Sequence, residues 1–519
     1  MGHALAHDIC WKTELLPLAQ RHATEPAVYD LAGKVTFAEL FAKAAGIARA
    51  VLATGAPPCS AVATLLPNGR DAVAASYGVT LAGAAETRLN PTLAEADLAH
   101  CVATARIPAV VTDASRLAMV ERLGVRGIDV ATVAPGDLAS LELPSVPAGG
   151  FGRIGFSSGT TGKPKGIVHA QAGRWTANVL LRATLPRAPG PGDNVLLMTP
   201  FSHGAALLTY AFLDGGAAVT LLPGVDPAEA LSLIAAGKVN HVFAPPTVLA
   251  KLLSGVRDQR YPGLAAIFTG TAPLSAELYR RARHVFGPVV RVTYGKSEIW
   301  NPITVLGPGE AEAWYGDEGE PRTTCVGWPA SGVEIAIDRA AAGSAGEHEG
   351  GEDRVGEVCL RTRHMSIGLL VEGEFRPDAP GSYHRTGDLG FIDDRGRLHL
   401  CGRLADVMKS GGYRILPEEV EADLREAAAP AEIAVLGLPS SYWGEVVTLV
   451  VAGGDAAVMA RLEAAMQSLT QYKRPRLVAH LDEIPRNSIG KVVRRLARTQ
   501  ILERYAFEDG RYPKLSARP

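Results

Sequence analysis

Residues 154–170 read IGFSSGTTGKPKGIVHA. Ser157, Ser158, Gly159, Thr160, Thr161, Gly162, Lys163 and Lys165 crowd into a short polar span between two apolar flanks. Glycine lets a backbone take positive φ and approach a ligand closely. Hydroxyls and successive N–H groups of such a turn form a nest for an anion, so the span reads as a loop that grips phosphate. A Walker A loop is excluded, because that motif needs Gly where Ser157 stands and Ser or Thr where Pro164 stands. Proline lacks the N–H and fixes φ, so no helix runs straight on from Lys163. A flexible Gly/Ser linker is the bland alternative, but linkers have polar flanks and this span lies between IGF and GIVHA.

SSGTTGKPKG resembles the phosphate loop of the adenylate-forming superfamily, which holds acyl- and aryl-CoA ligases, luciferases and nonribosomal adenylation domains. One Gly-rich loop carries little by itself, so the other segments that stand in the family's order decide. Tyr294-Gly295-Lys296-Ser297-Glu298 follows the predicted strand VVRVT and resembles the segment that borders the adenine and acyl pocket. A carboxylate there holds Mg²⁺ together with phosphate oxygens, a role the resemblance gives to Glu298; Ser297 stands where Thr is commoner. Tyr383-His384-Arg385-Thr386-Gly387-Asp388 matches the family's aromatic-x-x-Thr-Gly-Asp, in which the Asp accepts both ribose hydroxyls.

GRLADVMKSGGYRILPEEVE, residues 402–421, resembles the family's hinge and hairpin. The resemblance turns Arg403 toward the ribose or phosphate and places Ala405 at the pivot, where relatives often carry Asp or Lys. It puts Gly411 and Gly412 beside the acceptor. PRNSIGKVVRRLAR, residues 485–498, resembles the C-terminal lysine motif. Lys491 is then the ammonium that meets the entering carboxylate and the α-phosphate, a charge worth most where it grows in the transition state. Taken singly, these segments read as a charged turn, a common TGD turn and a solvated basic helix. Their shared order is what decides.

The chain has 519 residues, 47% hydrophobic and 20% charged, with a formal net charge of −2. That is too long for one core, and near-neutral charge argues against nucleic acid as a partner. The 6 cysteines are scattered without CxxC pairs, which predicts neither zinc nor a disulfide framework and points to a reducing compartment, the cytoplasm. MGHALAHDIC lacks the features of a signal peptide. The charge-free stretch between Asp193 and Asp214 is interrupted by Pro200, Ser202 and His203, and reads as buried core rather than a membrane span.

Short apolar strands alternate with amphipathic helices, which predicts α/β layering. Phe37, Leu40, Ala44, Ile47 and Val51 follow Thr36 at helical spacing; AVATLLP reads as a strand, and a helix is expected from about Leu93. LAAIFTGTAPLSAEL and VVRVTYGKSEI each end a strand in a polar loop, and ligands bind at such carboxyl ends. Gly270, Thr271, Ala272, Tyr294 and Gly295 are therefore expected at the nucleotide. From Cys325 the texture becomes strand-rich, interrupted at residues 340–353 by an acidic surface loop. The expectation is a large N-terminal domain over 1–402, built of layered α/β subdomains plus a small strand-rich one. A small mobile α+β domain over 403–519 follows, hinged near Leu404 and Ala405.

The resemblance implies attack of a carboxylate on the α-phosphate of ATP with Mg²⁺, release of pyrophosphate, then acyl transfer, with CoA as the default acceptor. Alternatives are an amide synthetase that passes the adenylate to an amine, and a non-catalytic nucleotide-binding homologue. Ser202 after Phe201 occupies the place where amino-acid-activating relatives carry Asp, which argues against an α-amino acid. Phe201, His203, Gly295 and Trp300 are the candidate acid-binding residues, and His203, which lines the acid pocket or gates the acceptor path, is a catalytic candidate with Lys491 and Glu298. Oligomeric state is not indicated.

Overall fold

The computed structural model describes residues 8–157, 164–316, 323–342, 354–486 and 492–518. Buried apolar strands that alternate with helices are covered on both faces when they run parallel. Two sheets are assembled this way. Among the described residues one has 8 strands, in the order Glu374–Pro377, Gly368–Val371, Lys165–Ala170, Phe151–Ser157, Ala85–Arg88, Ala61–Leu65, Ala109–Thr112, Arg126–Asp129. Pairing is parallel from Phe151–Ser157 to Arg126–Asp129 and antiparallel on the other side. The second has 7, in the order Val290–Val292, Ala266–Thr269, His241–Phe243, Asn194–Leu197, Ala218–Leu221, Pro26–Asp30, Gly33–Thr36.

The helix Phe37–Leu52 packs between these sheets in the largest core, with Phe37, Leu40, Ala44, Ile47 and Val51 all buried as their spacing predicts. Thr36 and Glu39 form a reciprocal capping box at its start, a contribution of about 1 kcal/mol. The helix expected from about Leu93 begins later, at Glu95. Asn90 Oδ1 accepts from the Thr92 N–H at 3.0 Å and from its hydroxyl at 2.9 Å, and this Asx turn holds the chain out of the helix.

The strand-rich stretch forms a 6-stranded sheet, ordered Thr304–Val305, Thr324–Pro329, Leu398–Arg403, His384–Ile392, Gly356–Thr362, Val333–Asp338. The expected acidic loop opens with a short helix, Arg339–Ala342; residues 343–353 lie outside the described residues. The turn Leu404–Asp406 leads on to Met408–Ser410, Tyr413–Ile415, Glu432–Ser440, Gly444–Ala452 and Leu477–Leu481, which form a separate 5-stranded sheet. Alternate residues of its strands face opposite sides. Val435, Val447 and Leu449 pack with the helices Pro417–Ala428 and Ala456–Ser468, while Leu436, Val446 and Val450 pack with Arg494–Arg504.

Arg494 ties this body to the turn. Its guanidinium lies 3.1 Å from Asp406, 2.9 Å from Glu418 and 2.7 Å from Glu421. Among the described residues no helix is long and apolar enough to cross a membrane.

Candidate active site

Two neighbouring parallel strands, Ala266–Thr269 and Val290–Val292, deliver their carboxyl-end loops side by side. A Cβ on Gly270 would stand 2.5 Å from the Thr293 carbonyl oxygen, so only glycine fits. Thr271 follows at φ 69°, a left-handed conformation that a β-branched residue keeps only when its surroundings impose it. Its hydroxyl is buried and finds no partner among the described residues. Ala272 is half-buried beside it, as is Gly295 on the next loop.

Tyr294 is buried, and its hydroxyl donates to Asp388 on the strand His384–Ile392. Burial, then the Asp388 charge, pushes the Tyr294 phenol well above its ordinary value, so it stays a donor at neutral pH. Lys296 Nζ lies 3.2 Å from Asp388 Oδ2 and donates to the Thr386 carbonyl at 2.8 Å. Arg403 Nε lies 3.2 Å from Asp388 Oδ1. The expected ribose carboxylate is thus ringed by a phenol, an ammonium and a guanidinium.

The His169 ring lies 3.0 Å from the Ser297 carbonyl through Nε2. Burial, then Arg153, pulls His169 down to about 3, so the ring is neutral and Nε2–H donates. Glu298 is a quarter exposed and stands 3.9 Å from His384 Nε2, too far for a hydrogen bond. Burial lowers His384 against the pull of Glu298, and its Nε2 is unpartnered among the described residues. No group of three His, Cys, Asp or Glu that could hold a metal occurs among the described residues. A divalent ion at Glu298 would draw its other ligands from phosphate and water, as Mg²⁺ does.

Phe201 and His203 lie in the segment Phe201–Ala205, where the backbone kinks at His203 (φ −110°, ψ −145°) before the helix Ala206–Leu213. Asn68 pins it by accepting the Phe201 N–H at 2.7 Å. His203 Nε2, Ser202 Oγ and Trp300 Nε1 are all buried without partners among the described residues. Burial, then Arg153 and Arg88, lowers His203. Trp300 meets His169 edge-on with ring centres 5.3 Å apart, and Arg153 lies 4.8 Å over its ring. Arg88 lies 5.6 Å from the centre of the Phe201 ring. Phe201, His203 and Trp300 are therefore drawn together around Arg88 and Arg153, which no motif singled out. The available signal was charge inside short apolar stretches, in AAETRLNP and FGRIGF.

Ser157 ends its strand opposite Lys165, which is exposed. Ser158, Gly159, Thr160, Thr161, Gly162, Lys163 and Lys491 lie outside the described residues. Ala405 is exposed in the turn Leu404–Asp406. Gly411 and Gly412 take φ 58° and 87° at the tip of the hairpin Met408–Ser410/Tyr413–Ile415. The Gly411 N–H donates to the Trp443 carbonyl at 2.8 Å; the described contacts do not bring this tip to Asp388.

A large α/β body that gathers Tyr294, Lys296 and Arg403 around Asp388, followed by a small α+β body, matches the architecture of adenylate-forming enzymes. The profile of the family described as AMP-binding enzyme matches residues 18–370, and the chain belongs to that family. The long-chain-fatty-acid–CoA ligase FadD13 of Mycobacterium tuberculosis (strain ATCC 25618 / H37Rv) is 28% identical over 497 residues, 90% of this chain and 93% of the relative. The amide bond synthetase McbA from Marinactinospora thermotolerans superposes with a TM-score of 0.80 at 28% identity, over 94% of this chain and 99% of McbA. The o-succinylbenzoate CoA synthetase MenE from Bacillus subtilis, in complex with the acyl-adenylate intermediate OSB-AMP, superposes with a TM-score of 0.77 at 26% identity, over 97% and 99%. MenE has also been solved with ATP and a magnesium ion. This chain is accordingly an ATP-dependent, AMP-forming ligase.

Proposed function

We propose that the enzyme joins a carboxylic acid to the thiol of CoA through an acyl-adenylate. The observation that carries this is Asp388, held by Tyr294, Lys296 and Arg403 where the large body ends. Asp388 accepts the ribose hydroxyls, and Arg403 reaches the ribose or phosphate beside it. Gly270, Thr271 and Ala272 face the adenine with Tyr294 and Gly295; the strained Thr271 backbone and its unpartnered hydroxyl suit a ligand-facing wall. Ser157, Ser158, Gly159, Thr160, Thr161, Gly162, Lys163 and Lys165 hold the leaving pyrophosphate, with Ser297 nearby. Glu298 holds Mg²⁺, which neutralises phosphate charge when bound. Phe201, His203, Gly295 and Trp300 line the acid pocket.

The body over 403–519 turns about Ala405. In one orientation it presents Lys491 to the α-phosphate; in the other it presents Gly411 and Gly412 to the acceptor path. Catalysis is then mainly positioning and charge neutralisation. Unpaired cysteines at all described positions suit the cytoplasm. An amine acceptor is the second reading, favoured by the likeness to McbA. The deciding experiment supplies ATP, Mg²⁺ and a panel of aryl and fatty acids, follows pyrophosphate, and then identifies by mass which of CoA or simple amines takes the acyl group. Pyrophosphate release with no acid in the panel would refute acid activation.

A further inference from the structure

The strand Ala85–Arg88 runs parallel to Phe151–Ser157 with Glu86 opposite Arg153. This places Glu86, Arg88 and Arg153 together at the heart of the sheet, where Arg174 joins them from the helix Gln171–Ala183. Glu86 is fully buried and takes hydrogen bonds from Ser76 and, at 3.2 Å, from the Tyr210 hydroxyl. Its oxygens lie 3.6 Å from Arg174 and 3.9 Å from Arg88, beyond hydrogen-bond length for guanidinium and carboxylate.

Arg174 has further partners. It donates to Thr80 and lies 4.8 Å over Tyr210. Arg88 has few, since its Nη1 reaches Tyr210 only at 3.5 Å while Nε and Nη2 are buried and unpartnered among the described residues. Arg153 makes no side-chain hydrogen bond among the described residues and lies over the Trp300 ring. Burial, then the Arg88 charge, pulls Arg153 down to about 9, a cation still, with no anion of its own. Asp214, whose charge acts on Arg174, is occupied by Tyr77 and Asn178.

A single carboxylate thus faces three guanidiniums, and the two with the fewest hydrogen bonds, Arg88 and Arg153, lean on Phe201 and Trp300. An aromatic face attracts a cation but does not satisfy its N–H donors, and a desolvated charge without a counter-charge is costly. We infer that the acid taken by this enzyme carries a second carboxylate, remote from the one that is activated, which pairs with Arg88 and Arg153. Its body lies against Phe201 and Trp300, and its remaining acceptors meet Trp300 Nε1 and Ser202. This rests on the proposal above that Phe201, His203 and Trp300 line the acid pocket.

The test compares dicarboxylic acids with their own monomethyl esters, which keep size and lose the remote charge. Glutarate, adipate, pimelate, isophthalate and 2-succinylbenzoate supply a range of spans. With the wild-type enzyme, ATP and Mg²⁺, at least one diacid should exceed its monoester in kcat/KM for pyrophosphate release by about tenfold or more. Arg153→Gln should cut that ratio by about tenfold, and Arg153→Lys should restore part of it. Monoesters turned over as well as every diacid by the wild-type enzyme would overturn the inference while leaving acid activation standing. An unchanged ratio in a folded Arg153→Gln protein would overturn it too. No release with any acid would sink both.

Discussion

Asp388 and Arg403 are Cα partners across the strands His384–Ile392 and Leu398–Arg403, and Arg403 Nε lies 3.2 Å from Asp388 Oδ1. Arg403 is the last residue of its strand, immediately before the turn Leu404–Asp406. The carboxylate proposed to hold the ribose is therefore bonded to the residue from which the C-terminal body departs.

Asp388→Asn should raise the KM for ATP by about tenfold or more, because it removes a charged acceptor and leaves Lys296 and Arg403 facing an amide. The measurement is steady-state pyrophosphate release against ATP at saturating acid. An unaltered KM would place the ribose elsewhere.

Lys491→Ala should slow adenylate formation by about 100-fold or more, since a cation acting on developing charge is lost. ATP binding, followed by calorimetry, should persist. Full activity in the variant would remove Lys491 from the reaction.

At Gly412, where φ is 87°, an added Cβ would meet nothing within 4 Å, so Leu fits in space. The left-handed backbone is strained by about 1–2 kcal/mol for any L-residue, and the hairpin tip shifts. Gly412→Leu should slow transfer to the acceptor more than adenylation, measured as separate single-turnover steps. Equal loss in both would count against a role confined to the second step.

Glu418 lies 2.9 Å from Arg494, yet burial pushes its carboxyl up to about 7; Arg494 opposes this, while Glu421 and Asp406 add to it. A carboxyl raised above its unfolded value of 4.5 stabilises the fold fully below that value and loses the contribution as pH climbs through 7. A quarter of the side chain remains exposed, so about 1–2 kcal/mol is at stake. The melting temperature should fall between pH 5 and 8, and less steeply in Glu418→Gln. Identical slopes would exclude Glu418 as the source.

The alternation of strands and helices was plain because each element obeys its own period, and Phe37 to Val51 fell on the buried face accordingly. Tyr294 and Asp388 were legible as motif members, but their bond spans 94 positions of sequence, and nothing local announces such a pairing. The start of the helix at Glu95 was misplaced because the Asn90 side chain outcompetes helical hydrogen bonding over the next residues. Arg88 and Arg153 escaped notice for a different reason. Arg88 sits on a strand buried along its whole length and Arg153 half-buried on the next, so each arginine has meaning only once its neighbours are known.

Arg494 bears on the proposed turn of the C-terminal body. Just before that arginine, Arg486 and Val492 pair in an isolated antiparallel bridge, and Arg486 is anchored 3.0 Å from Glu432. Arg494 itself grips Asp406, immediately past Ala405, so the helix Arg494–Arg504 is tied to the proposed pivot by an ion pair as well as by the chain. A turn at that pivot would have to carry Arg494 along or break its ion pair with Asp406.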